Sequence, residues 1–121
     1  MAGEIKVTIQ GKLNNGGYKS DFNNGQNSIT QSTVGAAQGI QTVGTSAENI
    51  DGGDVGTPGY LFLKNLDSTN FVEIGVDNTG FVEMGKLTAG QEACFPVADS
   101  TTIQLKADTA SCKVAYLLLE R

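Results

Sequence analysis

The chain has no histidine and no tryptophan, and only 2 cysteines, 2 prolines and 2 methionines among its 121 residues. Each absence removes a class of function. Without histidine the chain lacks the commonest general base and the commonest metal ligand. A Ser-His-Asp or Cys-His nucleophile cannot be built within one chain. Two cysteines alone cannot form a four-ligand zinc site. Charge is also scarce: charged residues make up 17%, the net charge is −5, and none of the 8 basic residues adjoins another. That distribution gives no electrostatic footprint for DNA or RNA, and an anionic membrane would repel it. No stretch approaches the roughly eighteen apolar residues of a spanning helix. The start, Met1-Ala2-Gly3-Glu4-Ile5-Lys6, has no basic segment followed by an apolar run, so synthesis in a cytoplasm is expected. A cytoplasm keeps thiols reduced, and Cys94 and Cys112 are accordingly expected as free thiols. Cys94 lies between Ala93 and Phe95, in apolar surroundings that raise a thiol's pKa and leave it inert.

What the chain does have is glycine, 16 residues of it, with abundant Val, Ile, Thr and Asn. This mixture favours strands and turns over helices. The phrase Phe-Val-Glu-aliphatic-Gly occurs twice, at Phe71-Val72-Glu73-Ile74-Gly75 and at Phe81-Val82-Glu83-Met84-Gly85. In the first copy Val72, Ile74 and Val76 alternate with Phe71, Glu73, Gly75 and Asp77, the period of a half-buried strand. A three-residue loop at Asn78-Thr79-Gly80 pairs Asp77 with Phe81, Val76 with Val82 and Ile74 with Met84. The same register sets Glu73 opposite Gly85 and Glu83 opposite Gly75, so the two acids avoid direct opposition.

Along the chain, Ile5 to Leu13 alternates as a first strand and Asn14-Asn15-Gly16-Gly17 turns it. A short strand over Tyr18–Phe22, a second turn at Asn23-Asn24-Gly25 and a strand over Ser28–Val34 follow. Gly35 to Gly39 reads as flexible, and Ile40 to Thr45 as a strand with Ile40, Thr42 and Gly44 on one side. Ser46 to Gly59 reads as a long surface loop, of the kind often ordered by a partner. Tyr60 to Leu66 is apolar on both faces and reads as a central covered strand. Strands over Glu92–Val97, ending by Pro96, then Thr102–Ala107 and Lys113–Glu120 complete the chain. The spacing predicts one all-β domain, a sandwich or barrel; the fold expected is an antiparallel β-sandwich, jelly-roll-like, with about eight to ten short strands. Residues 1–58 are expected to be looser and ordered by assembly contacts, and 59–121 to hold the denser core. The expected core is Tyr60, Leu61, Phe62, Leu63, Ile74, Val76, Met84, Phe95, Leu117 and Leu119.

Three groups of residues are candidates for contact with a partner or a glycan. Glu73 and Glu83 share the hairpin's outer side; they read first as a solvated face, with a glycosidase acid pair or a calcium site as the alternatives. Asp51-Gly52-Gly53-Asp54 reads as a turn, with calcium as its alternative, since it lacks the spaced ligands of an EF-hand. Phe71 and Phe81, beside Gly and Glu, could stack on a sugar or meet a protein; a covering loop or sheet is the plainer reading. No phosphate loop, catalytic set, cofactor or metal site is expected.

Gly39-Ile40-Gln41-Thr42-Val43-Gly44-Thr45, Gly53 to Asp67 with its Pro58-Gly59-Tyr60-Leu61-Phe62-Leu63-Lys64-Asn65-Leu66 core, Asn70 to Val76, Lys86-Leu87-Thr88-Ala89-Gly90-Gln91 and Val114 to Glu120 follow one another in an order that resembles small structural proteins of tailed bacteriophages. The resemblance covers residues 39 to 121; before that only the β and turn character matches. It implies a virion component of head or tail alike; the expectation carried forward is a non-enzymatic virion subunit, with a capsid decoration (cement) role slightly preferred to a tail role. With Thr-, Gln- and Asn-rich edge strands as templates for pairing, a homo-oligomer that binds other virion proteins, the major capsid protein foremost, is expected. No site residues carry over, because the matching positions are core and turn positions. A carbohydrate-binding or host-adhesion module of a tail or fibre is the alternative.

Overall fold

The computed structural model describes residues 3–98 and 101–121, all as strands and their connections. Its strands are β1 (Ile5–Asn15), β2 (Tyr18–Ile29), β3 (Ala36–Val43), β4 (Glu48–Asn49), β5 (Pro58–Asn65), β6 (Val72–Asp77), β7 (Phe81–Leu87), β8 (Glu92–Pro96), β9 (Ile103–Ala107) and β10 (Cys112–Glu120). They fall into two compact units, Met1–Thr33 and Val34–Arg121.

The larger unit is a sandwich of two four-stranded antiparallel sheets, ordered β3-β10-β5-β8 and β4-β9-β6-β7. The pairs β3–β10, β4–β9, β5–β8 and β6–β7 nest one inside the next, with β10–β5 and β9–β6 closing each sheet. This is the strand order of a jelly roll, and the all-β sandwich agrees with the turn spacing. Alternation puts Val43, Leu61, Leu63, Val114 and Leu118 of one sheet against Val72, Ile74, Leu87, Leu105 and Ala107 of the other.

The hairpin register holds for Asp77–Phe81 and Val76–Val82, and Glu83 faces Gly75, as the loop length predicts. Beyond that it shifts. A bulge sets Ile74 opposite Gly85, Glu73 opposite Lys86 and Val72 opposite Leu87. Ile74 therefore does not pair with Met84, nor Glu73 with Gly85. An unbroken register would have placed Lys86 opposite buried Val72; the extra residue instead sends Leu87 into the core and Lys86 outward. Met84 absorbs the bulge and is 56% exposed, so it is not a core residue.

Among the other expected core residues, Leu61, Leu63 and Ile74 are buried, and Val76 and Phe95 pack against the core. Tyr60, Phe62, Leu117 and Leu119 lie at the opposite parity, on the outer face of their sheet, and are partly exposed. The Tyr60 and Phe62 rings meet there at 5.6 Å. A run that is apolar on both faces supplies one core face and one outer apolar face. In β3 the inward residues are Gln41 and buried Val43, while Ile40 and Thr42 share the exposed side.

The smaller unit is a β1–β2 hairpin closed by Gly16-Gly17, with Gly16 at φ 60. No turn breaks β2 at Asn23-Asn24-Gly25. Asn23 stays paired with Gln10, and Asn24 and Gly25 form a bulge opposite Ile9, with Gly25 at φ 78 and its N–H donated to the Asn23 side chain. The strand expected over Ser28–Val34 is absent: β2 ends at Ile29, and β3 starts inside the segment that reads as flexible.

Candidate functional site

The outer face of β9-β6-β7 collects Phe71, Glu73, Phe81 and Glu83. Phe71 immediately precedes β6, and the alternation that buries Val72 and Ile74 turns Glu73 and Gly75 outward. In register Glu73 lies between Lys86 of β7 and Lys106 of β9. The two lysines cover the aromatic rings: the Lys86 ammonium lies 4.6 Å from the Phe71 centroid, and that of Lys106 5.8 Å from Phe81. Gly75 permits this arrangement. A Cβ there would meet the Val82 carbonyl and would lie 2.7 Å from the Phe81 ring.

Three charges of alternating sign in one cross-strand row favour a charge-balanced face. Glu83 is exposed on the edge strand, diagonal to Glu73. Lys86 and Lys106 are the members that the sequence reading passes over. Their signal is the outward position each takes beside an inward residue, Leu87 for one and Leu105 and Ala107 for the other.

Asp51 and Asp54 lie apart from that face, in the connection between β4 and β5. Asp51 Oδ1 accepts the Gly53 N–H at 3.2 Å, and the Gly52 carbonyl accepts the Val55 N–H at 2.9 Å, so the segment folds as a turn closed on itself. Gln41 pins its start: its Nε2 donates to Glu48 Oε1 and to the Asn49 carbonyl, and its Oε1 accepts the Asp51 N–H, each at 2.9 Å. Buried Glu120 pins its end by accepting the Gly56 N–H at 3.1 Å and the Thr57 N–H at 3.3 Å. No three acidic or thiol side chains converge among the described residues. Beneath this connection, between the two sheets, lies a cavity of about 280 Å³ lined by Ile50, Val55, Leu61, Val97, Ile103 and Leu118.

A second polar anchor is fully buried Asn65. Its Nδ2 donates to the Asn70 carbonyl at 2.9 Å and the Leu87 carbonyl at 3.0 Å, and its Oδ1 accepts the Asp67 N–H at 3.0 Å. Asp67 in turn accepts the Asn70 and Thr69 N–H groups at 2.6 and 2.9 Å, which hold its carboxyl below the usual aspartate range. Asn65 shares the inward parity of Leu61 and Leu63, and a polar residue at that position is its sequence signal. The cysteines are free thiols. Burial pushes both upward, with Asp67 and Asp108 adding to the effect at Cys112.

No family model matches this chain, and no curated protein or solved structure matches it.

Proposed function

We propose that the chain is a non-enzymatic structural subunit of a bacteriophage virion, of the capsid decoration or cement type, binding the particle surface as a homo-oligomer made in the host cytoplasm. The observation that carries this reading is the jelly-roll strand order built from the segments that resemble phage structural proteins, since jelly rolls are a recurrent architecture of viral shells. The fold contributes by analogy and the residues by resemblance. The surfaces support it further. A sheet face with alternating charges and capped rings, together with connections pinned by Gln41 and Glu120, suits attachment through preformed surfaces. The major capsid protein is the expected partner.

Particles produced from the genome that encodes the chain test the reading. Mass spectrometry of density-banded particles is expected to find the chain in many copies per particle, released by agents that strip surface proteins while leaving the shell whole. Its absence from banded particles overturns the proposal.

A glycan-binding module ranks second, because jelly rolls also build lectins and because Phe71, Glu73 and Phe81 share one face. The lysine held over each ring occupies a stacking surface that a sugar would need. Glycan-array binding abolished by Phe71→Ala would reverse the ranking.

A further inference from the structure

The β1–β2 hairpin has one apolar and one polar face, and a bulge creates that division. Near the open end the pairs are Ile5–Ile29 and Val7–Asn27; past the bulge they are Gly11–Phe22, Leu13–Ser20 and Asn15–Tyr18. Without the extra residue, Phe22 would face Lys12, and Asp21 would face Leu13. The one-residue shift moves Phe22 and Tyr18 onto the face of Ile5, Val7, Ile9 and Leu13. It also sets Asp21 opposite Lys12 and Lys19 opposite Asn14 on the other face. Ile5 and Val7 are buried. Ile9, Leu13, Phe22 and Tyr18 remain 45%, 46%, 60% and 67% exposed.

A two-stranded ribbon is marginal in water unless a further layer covers its apolar side. Across the ladder large residues meet small or polar ones, from alternate strands: Phe22 opposite Gly11, Leu13 opposite Ser20, Tyr18 opposite Asn15. A surface of alternating knobs and notches is complementary to itself after a two-fold rotation. Those exposures leave roughly 500 Å² uncovered per copy, so a pair would cover roughly 1,000 Å², the lower bound of a specific interface. Lys12, Lys19 and Asp21 lie on the opposite face, so no charge is desolvated by the pairing.

We propose that the apolar face of the β1–β2 hairpin is an isologous docking surface for the same face of a second copy, the two ribbons stacking face to face as two layers of two strands each, with Leu13 and Ser20 near the two-fold axis. This specifies the homo-oligomer part of the virion reading and rests on the hairpin alone, without requiring a particle.

Sedimentation equilibrium of the full chain is expected to show a dimer at about 50 μM, a high concentration chosen because an interface at the lower size bound is weak. The double variant Tyr18→Ser/Phe22→Ser is expected to weaken it by about 100-fold or more, since central aromatic anchors carry most of such an interface. Lys12→Ser, on the polar face, is expected to leave it unchanged. A chain that stays monomeric at that concentration overturns the proposal. So does a dimer indifferent to the Tyr18/Phe22 double variant, or an assembly larger than two that the double variant dissolves. A dimer of this kind that is missing from banded particles overturns the virion reading alone. A particle-bound chain that is monomeric in solution overturns the hairpin proposal alone.

Discussion

Replacing Asn65 by leucine keeps the number and branching of its side-chain heavy atoms, adds some bulk at a fully buried position, and removes three hydrogen bonds at once. The Asn70 and Leu87 carbonyls lose their donor, and the Asp67 N–H loses its acceptor. Each such bond contributes about 1 kcal/mol net, and buried groups left without partners raise the cost, so the change is expected to lose about 3–5 kcal/mol. Against a typical total stability of about 5–15 kcal/mol this is a large fraction. The backbone bonds Asn65 N–H to the Gln91 carbonyl and Gly90 N–H to the Asn65 carbonyl survive the substitution, so the loss reports the side chain. Urea unfolding of wild type and variant measures it, with an unchanged m-value required for the comparison. The melting midpoint should fall by more than about ten degrees, given about 4–8 °C per kcal/mol for a unit of this size. Asn65→Asp is expected to fare no better, because it sets a second oxygen against two carbonyl oxygens. A loss below about 1 kcal/mol for Asn65→Leu would refute the assignment of Asn65 as the anchor joining β5 to the hairpin strands.

Three further outcomes follow from the same geometry. Gly75→Ala places a methyl against the Val82 carbonyl and the Phe81 ring; a loss of about 1–3 kcal/mol is expected in urea unfolding, and a neutral result would contradict the close approach. Asp67 has a folded pKa below its unfolded value, so its contribution is present above the unfolded pKa and lost as pH falls through the folded one. The stability gap between wild type and Asp67→Ala should therefore be open at neutral pH and narrow as acid protonates Asp67, and a gap that widens with acid would contradict the hydrogen-bonded carboxylate. Buried Cys112 should react with a maleimide only on unfolding, while half-buried Cys94 reacts slowly in the native chain; equal and rapid labelling of both would contradict their placement.

The readable parts of this chain were those where one local signal had no competitor. Strict alternation over Val72–Asp77, a three-residue loop ending in Gly80, and a proline closing β8 all appear in the structure as the sequence predicts. The bulges were harder. A bulge changes which residues face inward without changing composition, so the register after Glu83 and the continuity of β2 through Asn23-Asn24-Gly25 differ from what alternation and turn residues predict. The clue was present in Lys86, which an unbroken ladder would have buried opposite Val72. Runs apolar on both sides, Tyr60 to Leu63 and Leu117 to Leu119, suggested strands covered on both faces. Burial, however, is decided by a neighbouring layer that local sequence does not encode. β3 was missed at its start for a related reason: Ala36 to Gly39 has little strand propensity, and pairing with Leu117, Leu118 and Leu119 of β10 imposes the conformation. At the candidate surfaces, the aromatic and acidic members stood out in the sequence. Their lysine partners did not, because Lys86 and Lys106 come beside Phe71 and Phe81 only when three strands are laid side by side.

The most direct test of the account is a reconstruction of particles made from the encoding genome, compared with particles lacking this chain. The account predicts extra density on the outer shell that fits the two four-stranded sheets. Particles identical with and without the chain would contradict it.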